Sequence, residues 1–181
     1  MVRWRLNLHI LWFSQVLSLM SFGFGLPFLP FYIQEMGVTD PAQLSLYTGF
    51  LSAAPAVTMA VSAPFWGIMA DKWGRKLMIL RAMLAAVFVL GGMGLAREVW
   101  QLMLLRGAQG LFTGTITATA AFVASDAPED RMSSSLGFLS SSNFVGYSVG
   151  PVVGGWLAEL MGYRFSFLAG ALLMLAGFFS C

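Results

Sequence analysis

Gly67-Ile68-Met69-Ala70-Asp71-Lys72-Trp73-Gly74-Arg75-Lys76 reads as a short charged hinge between two long apolar runs. Asp71, Lys72, Arg75 and Lys76 place four charges in six residues, in a chain where only 10% of residues are charged. Gly67 and Gly74 bracket them, the first permitting close backbone approach and the second a tight turn.

Composition fixes the class. Of 181 residues, 58% are hydrophobic and mean hydropathy is +0.78. Soluble domains are only about half apolar, so the chain reads as a membrane protein. A single Cys and a single His, His9, leave no disulfide framework, no metal site and no cofactor set to expect. The pI near 9.0 comes with a net charge of only +2 and no basic run longer than two residues, so the expected partner is the lipid bilayer and not nucleic acid.

Outward from the hinge, apolar runs cover about 8–32, 45–70, 77–96, 99–125 and 132–157, and a sixth begins near Phe165 and is still apolar at Cys181. Each complete run is long enough to cross a bilayer core, which takes about 20 residues. The first is too long for a signal-peptide core, and no small-residue cleavage site follows it. The expectation is an all-α membrane protein in which residues 1–181 form one bundle of six transmembrane helices, cut within the sixth. Counting alternate connectors, Arg3, Arg5, Lys72, Arg75, Lys76, Arg81 and Arg131 fall on one side and only Arg97 and Arg164 on the other. That bias predicts a cytoplasmic N-terminus and a cytoplasmic hinge.

An internal repeat accompanies the spans. Gly49-Phe50-Leu51-Ser52 recurs as Gly137-Phe138-Leu139-Ser140, and Pro64, Gly67, Ala70, Asp71, Gly74 and Arg75 are echoed by Pro151, Gly154, Ala158, Glu159, Gly162 and Arg164. Three spans per copy is an odd number, so the copies enter the membrane from opposite sides as a 3+3 inverted repeat.

Within the runs, polar residues are few enough to single out. Ser14, Ser18, Ser21 and Gly25, with Gln15, Phe22, Phe24 and Phe28 near them, suit either close helix packing or one wall of an aromatic cavity. Pro27 and Pro30 kink or end that first helix. Ser52, Ala56, Ala60 and Pro64 form a small-residue stripe expected to pack against another helix, of these residues or of a partner outside them. The third run is nearly all apolar and is expected to face lipid. On the fourth, Arg106, Gln109, Gly110, Thr113, Gly114 and Thr117 share one helical face. A charge buried at that depth costs about 2.5 kcal/mol or more and reads as functional, against the alternative of an Arg snorkelling to the headgroups. The fifth run carries Gly146, Gly150, Pro151, Gly154 and Gly155, glycines that permit close helix approach around a proline that bends the helix, with Asn143 and Tyr147 placed to line a cavity.

The hinge resembles the loop signature between the second and third helices of Major Facilitator Superfamily transporters. Arg106-x-x-Gln109-Gly110 is similar to that family's fourth-helix signature, and Gly150-Pro151-x-x-Gly154-Gly155 to the one marking its antiporter branch. Segments 26–32 and 62–67, with 74–78, resemble bacterial multidrug efflux members most. The resemblance implies the N-terminal six-helix half of a twelve-helix transporter, with a C-terminal six-helix bundle as partner. It implies proton-driven export of amphipathic small molecules from the cell membrane by alternating access. It further implies a conformational latch of Gly67, Asp71, Lys72, Gly74, Arg75, Lys76 and Asp126, in which Asp126 pairs with Arg75. Arg106, Gln109, Thr113, Gln15, Phe22, Asn143 and Tyr147 become the substrate or proton pathway, and Gly146, Gly150, Pro151, Gly154 and Gly155 the antiporter bend. One departure stands out: many proton-coupled drug exporters hold an acid inside the first helix, and none lies between Leu8 and Tyr32. Export of a metabolite such as a sugar or organic acid, with Arg106 binding an anion, is the alternative within transport. A non-transporting membrane fragment or scaffold is the alternative outside it, and nothing in the sequence assembles an enzyme's nucleophile and base.

Overall fold

The structure, a computed structural model, describes residues 3–180; the point within the sixth run where the sequence stops, Cys181, lies outside the described residues. All regular structure among them is helical: α1 Arg3–Gly23, α2 Leu29–Glu35, α3 Pro41–Trp73, α4 Arg75–Leu95, α5 Val99–Phe112, α6 Thr115–Asp126, α7 Met132–Met161 and α8 Tyr163–Ser180, with short 3-10 turns at Leu26–Phe28 and Glu129–Arg131. Four stretches are long and apolar enough to cross a membrane: Trp4–Glu35, Pro41–Trp73, Arg75–Leu95 and Tyr163–Ser180. α7 has the length but is not one of these four.

Local chemistry sets the ends. Asp40 caps α3 by accepting from Ala42 N at 3.3 Å, with Pro41 at the first helical position. Gly74 (φ 91°) ends α3 and Gly162 (φ 88°) ends α7, each donating its N–H back to an alanine carbonyl four residues earlier, Ala70 and Ala158. That backbone conformation favours glycine, and in both places the next helix starts at once. Pro27 and Pro30 both kink and continue the first run: α1 stops at Gly23, a 3-10 turn carries Pro27, and α2 resumes with Pro30 in its first turn. The Tyr32 hydroxyl, fully buried, reaches the carbonyls of Met93 (3.0 Å) and Ala96 (3.1 Å), closing the C-terminal end of α4.

α1 is the central post, packed between α7 and α8. A Cβ on Gly150 would lie 2.9 Å from the Met20 carbonyl oxygen and 3.0 Å from Gly23 Cα; one on Gly146 would strike Leu19, and one on Gly154 the backbone of Phe24. The glycines of the proline-containing α7 therefore seat it directly on the α1 backbone. On the other flank Ser14 donates to the Gly177 carbonyl at 3.1 Å, and a Cβ on Gly170 would meet the Ser21 carbonyl oxygen at 2.8 Å. Ser14, Ser21 and Gly25 thus pack against α8, Ser18 is buried with its hydroxyl bonded back to the Ser14 carbonyl, and none of the four lines the central cavity. Phe24 is buried beneath Gly154, and Phe28 lies under Gly155 and stacks with Tyr163.

Two expectations about faces are narrowed. The third span, α4, buries Met78, Ile79, Ala82, Met83, Ala86, Val89, Leu90 and Met93, chiefly against α8 and α5, and only one side of it is exposed. An all-apolar helix has no polarity contrast to tell lipid from neighbour; its small residues were the usable signal, since a Cβ on Gly94 would press on Leu168 and the Arg164 carbonyl. Ser52, Ala56, Ala60 and Pro64 on α3 are exposed, and no helix among the described residues covers the stripe, in keeping with the alternative of an outside partner.

Candidate functional site

The fourth run is not one helix. α5 stops at Phe112, Thr113 takes an extended conformation (φ −97°, ψ 163°), and α6 starts at Thr115. The residues expected on one continuous face nevertheless stay together, because the break lies in the wall of a single cavity of about 560 Å3. Arg106, Gln109, Gly110, Thr113, Gly114 and Thr117 all line it, facing Phe22 of α1, Tyr147 of α7 and Ser52 and Pro55 of α3. The volume falls in the range of small-molecule sites, and the walls are mainly apolar with a few polar groups.

Close packing at Gly110 creates this geometry. A Cβ there would strike Thr58 and the Pro55 carbonyl, so only glycine lets α5 approach α3. Ser62 then reaches the Gly110 carbonyl at 3.3 Å, and Trp66 Nε1 donates to the Leu111 carbonyl at 2.6 Å, occupying acceptors at the end of α5. Thr113 Oγ1 donates to the Gln109 carbonyl at 2.6 Å on the same turn.

Arg106 is 5% exposed and Gln109 8%. Arg106 donates through Nη1 to Gln109 Oε1 at 2.8 Å, while its Nε is enclosed without a hydrogen bond. All eight acidic residues of the chain are exposed, so no carboxylate shares the interior with this cation. A buried Arg costs about 2.5–3.5 kcal/mol at a membrane midplane, and among the described residues one amide oxygen is its only side-chain partner.

Of the seven pathway residues, Arg106, Gln109, Thr113, Phe22 and Tyr147 line the cavity; Gln15 and Asn143 do not. Gln15 is buried elsewhere, accepting from Thr119 at 3.2 Å and leaving its Nε2 enclosed without a hydrogen bond. Asn143 is half-buried on α7. Pro151, one turn after Tyr147, has no N–H to give the Tyr147 carbonyl, so α7 loosens beside the cavity.

At the hinge, Arg75 and Asp126 do not pair. Arg75 donates to the Ala121 carbonyl of α6, and Asp126 accepts from Asn7 Nδ2 at 2.9 Å. The one ion pair within 4 Å among the described residues is Arg131–Asp130. Asp71, Lys72 and Lys76 are exposed. Gly74 makes the tight turn, whereas a Cβ on Gly67 would meet nothing within 4 Å, so the expected close approach there is absent within this chain.

Sequence reasoning used Arg81 only as a topological charge. Its guanidinium stacks on the Trp66 ring, 3.4 Å from the centroid, and lines a second cavity of about 270 Å3 between α3, α4 and α6. Met59, Thr113, Gly114 and Thr117 border both cavities. The signal available was position: two turns after Gly74, Arg81 is too deep for a connector charge.

Residues 11–181 match the model of the Major Facilitator Superfamily. The chain is 38% identical over 161 residues to "Multidrug resistance protein MdtG" of Proteus mirabilis, covering 89% of this chain and 40% of that protein. It is 38% identical over 176 residues to "Multi-drug resistance efflux pump PmrA" of Streptococcus pneumoniae (97% and 44%), and 41% identical over 176 residues to a PmrA homolog of Lactococcus lactis (97% and 43%). The chain spans less than half the length of these curated relatives. Helices, signatures and relatives agree: this chain belongs to the Major Facilitator Superfamily.

Proposed function

We propose that these residues form the N-terminal six-helix bundle of a multidrug exporter that works by proton antiport and alternating access. The observation that carries the reading is the 560 Å3 cavity, with Arg106, Gln109 and Thr113 on one wall and Phe22 and Tyr147 opposite. An apolar chamber with few fixed polar groups suits amphipathic molecules of varied shape. The broken run α5–α6 counts as one crossing and the kinked run α1–α2 as another, giving six. Two parallels support the 3+3 repeat. The first crossing of each half is interrupted, at 24–28 and at 113–114, and α3 and α7 each contain a proline and end on a positive-φ glycine. Alternate placement of Lys and Arg supports a cytoplasmic N-terminus in the cell membrane.

The exposed stripe Ser52, Ala56, Ala60 and Pro64, together with a hinge whose Asp71, Lys72 and Lys76 have no ion-pair partners among the described residues, supports a C-terminal bundle meeting α3. In this account Gly67, Asp71, Lys72, Gly74, Arg75, Lys76 and Asp126 form the latch, and Arg75 exchanges the Ala121 carbonyl for Asp126 as the bundles rock. Gly146, Gly150, Pro151, Gly154 and Gly155 give α7 its bend against α1. Protons are the coupling ion on resemblance alone, for the interior offers no acid.

Arg106 favours one second reading: a substrate carrying an anionic group, as an organic acid does. The test is ethidium efflux from cells making a chain that also carries the proposed C-terminal bundle, with Thr113→Trp filling the cavity and benzoate as competitor. Loss of efflux in Thr113→Trp at unchanged membrane level is expected; undiminished efflux sinks the cavity reading. Benzoate competition would favour the anionic substrate over the cationic drug.

A further inference from the structure

Arg81 is a second cation drawn into the helices, half-buried where Arg106 is buried. Its Nε and Nη1 are enclosed and make no hydrogen bond. One face is stacked on Trp66, whose own N–H is committed to the Leu111 carbonyl. No acid lines the adjoining cavity of about 270 Å3; its walls are apolar at Met59 and Met78, hydroxyl-bearing at Ser62 and Thr117, and open on the exposed side of α3 at Ala63. A guanidinium is a fork of donors matched to a planar or tetrahedral oxyanion. A cation in apolar surroundings without a counter-charge is the arrangement that an anion completes.

We infer that the cavity between α3, α4 and α6 binds an amphipathic organic oxyanion, a carboxylate or phosphate that pairs with Arg81 while its apolar body lies against Met59, Met78 and Trp66. The site is separate from Arg106 and stands whether or not the chain transports drugs. Because it borders the central cavity at Thr113 and Gly114, occupancy would press on the break between α5 and α6. The ligand's source is either a solute such as a short fatty acid or the headgroup of an anionic lipid.

The experiment is equilibrium dialysis of radiolabelled octanoate against the protein in maltoside micelles, with empty micelles subtracted, beside native mass spectrometry of retained phosphatidylglycerol. Wild type should bind one saturable equivalent of at least one of the two, octanoate pointing to a solute and phosphatidylglycerol to lipid. Arg81→Gln should weaken that binding tenfold or more, and Gly137→Ala, on α7 away from the cavity, should leave it unchanged. Should Arg81→Gln fail to fold, Ala63→Leu, which keeps the charge and narrows the open side, should weaken binding by a similar factor. Saturable binding of neither probe, or equal binding by wild type and the folded variants, overturns the site.

Discussion

Gly23 of α1 and Gly150 of α7 meet backbone to backbone: a Cβ on either would come within 3.0 Å of the other's Cα. No side chain separates the two helices there, and Pro151 follows at once, its Cδ 3.1 Å from the position of a Gly23 Cβ. Without a hydrophobic drive between helices in lipid, such contacts carry the association. Gly150→Ala should therefore destabilise the bundle by about 1–3 kcal/mol, the usual cost of overpacking. Gly137→Ala on the same helix, where a Cβ would meet nothing within 4 Å, should be neutral or slightly stabilising. Thermal unfolding of both variants in micelles checks the contrast; equal melting temperatures would contradict it.

Tyr32 ties the end of the first crossing to the end of α4. Its hydroxyl is fully buried against the Met93 carbonyl, which also accepts from the Ala96 N–H at 3.3 Å, and the Ala96 carbonyl beyond the helix end. Tyr32→Phe keeps the ring against Phe167 and removes only the hydroxyl. It should cost about 1–3 kcal/mol, the range for leaving buried acceptors unsatisfied. Urea-dependent unfolding followed by circular dichroism would measure it, and a variant as stable as wild type would show that these carbonyls find other donors.

The latch makes a prediction that packing does not. Asp71 is exposed and in no ion pair, so its loss should leave the bundle intact. Asp71→Asn, placed in a chain that also carries the proposed C-terminal bundle, should abolish export while membrane insertion stays normal. Export at the wild-type rate would remove Asp71 from the mechanism.

Much of the helical layout was legible in the sequence, because apolar runs bounded by charges and glycines leave little freedom in lipid. The run expected over 45–70 is α3, Pro41–Trp73, and the turn at Gly74 follows from a glycine between charged residues. The break at Thr113–Gly114 was hidden, since the spacing of Arg106, Gln109, Thr113 and Thr117 continues a helical period straight through it. Threonine, glycine and threonine at 113–115 were the local warning, all poor helix formers. Facing was the least legible property. α4 reads as a lipid-facing helix yet buries one side and exposes the other, and the α3 stripe is open where either a neighbouring helix or a partner would suit it, because apolar sequence looks the same on either side. Within the cavity, Arg106, Gln109 and Thr113 stood out as polar groups on an apolar run, whereas Pro55 and Leu26 carry no such mark.

The most direct test of the central claim is dye efflux by Arg106→Ala in a chain that also carries the proposed C-terminal bundle, measured beside its membrane abundance. Arg106 is buried in the wall of the 560 Å3 cavity with Gln109 as its side-chain partner. If that cavity is the transport site, efflux should fall at least tenfold while abundance in the membrane changes less than twofold. Loss of efflux and abundance in equal proportion would make Arg106 a structural residue and contradict the account.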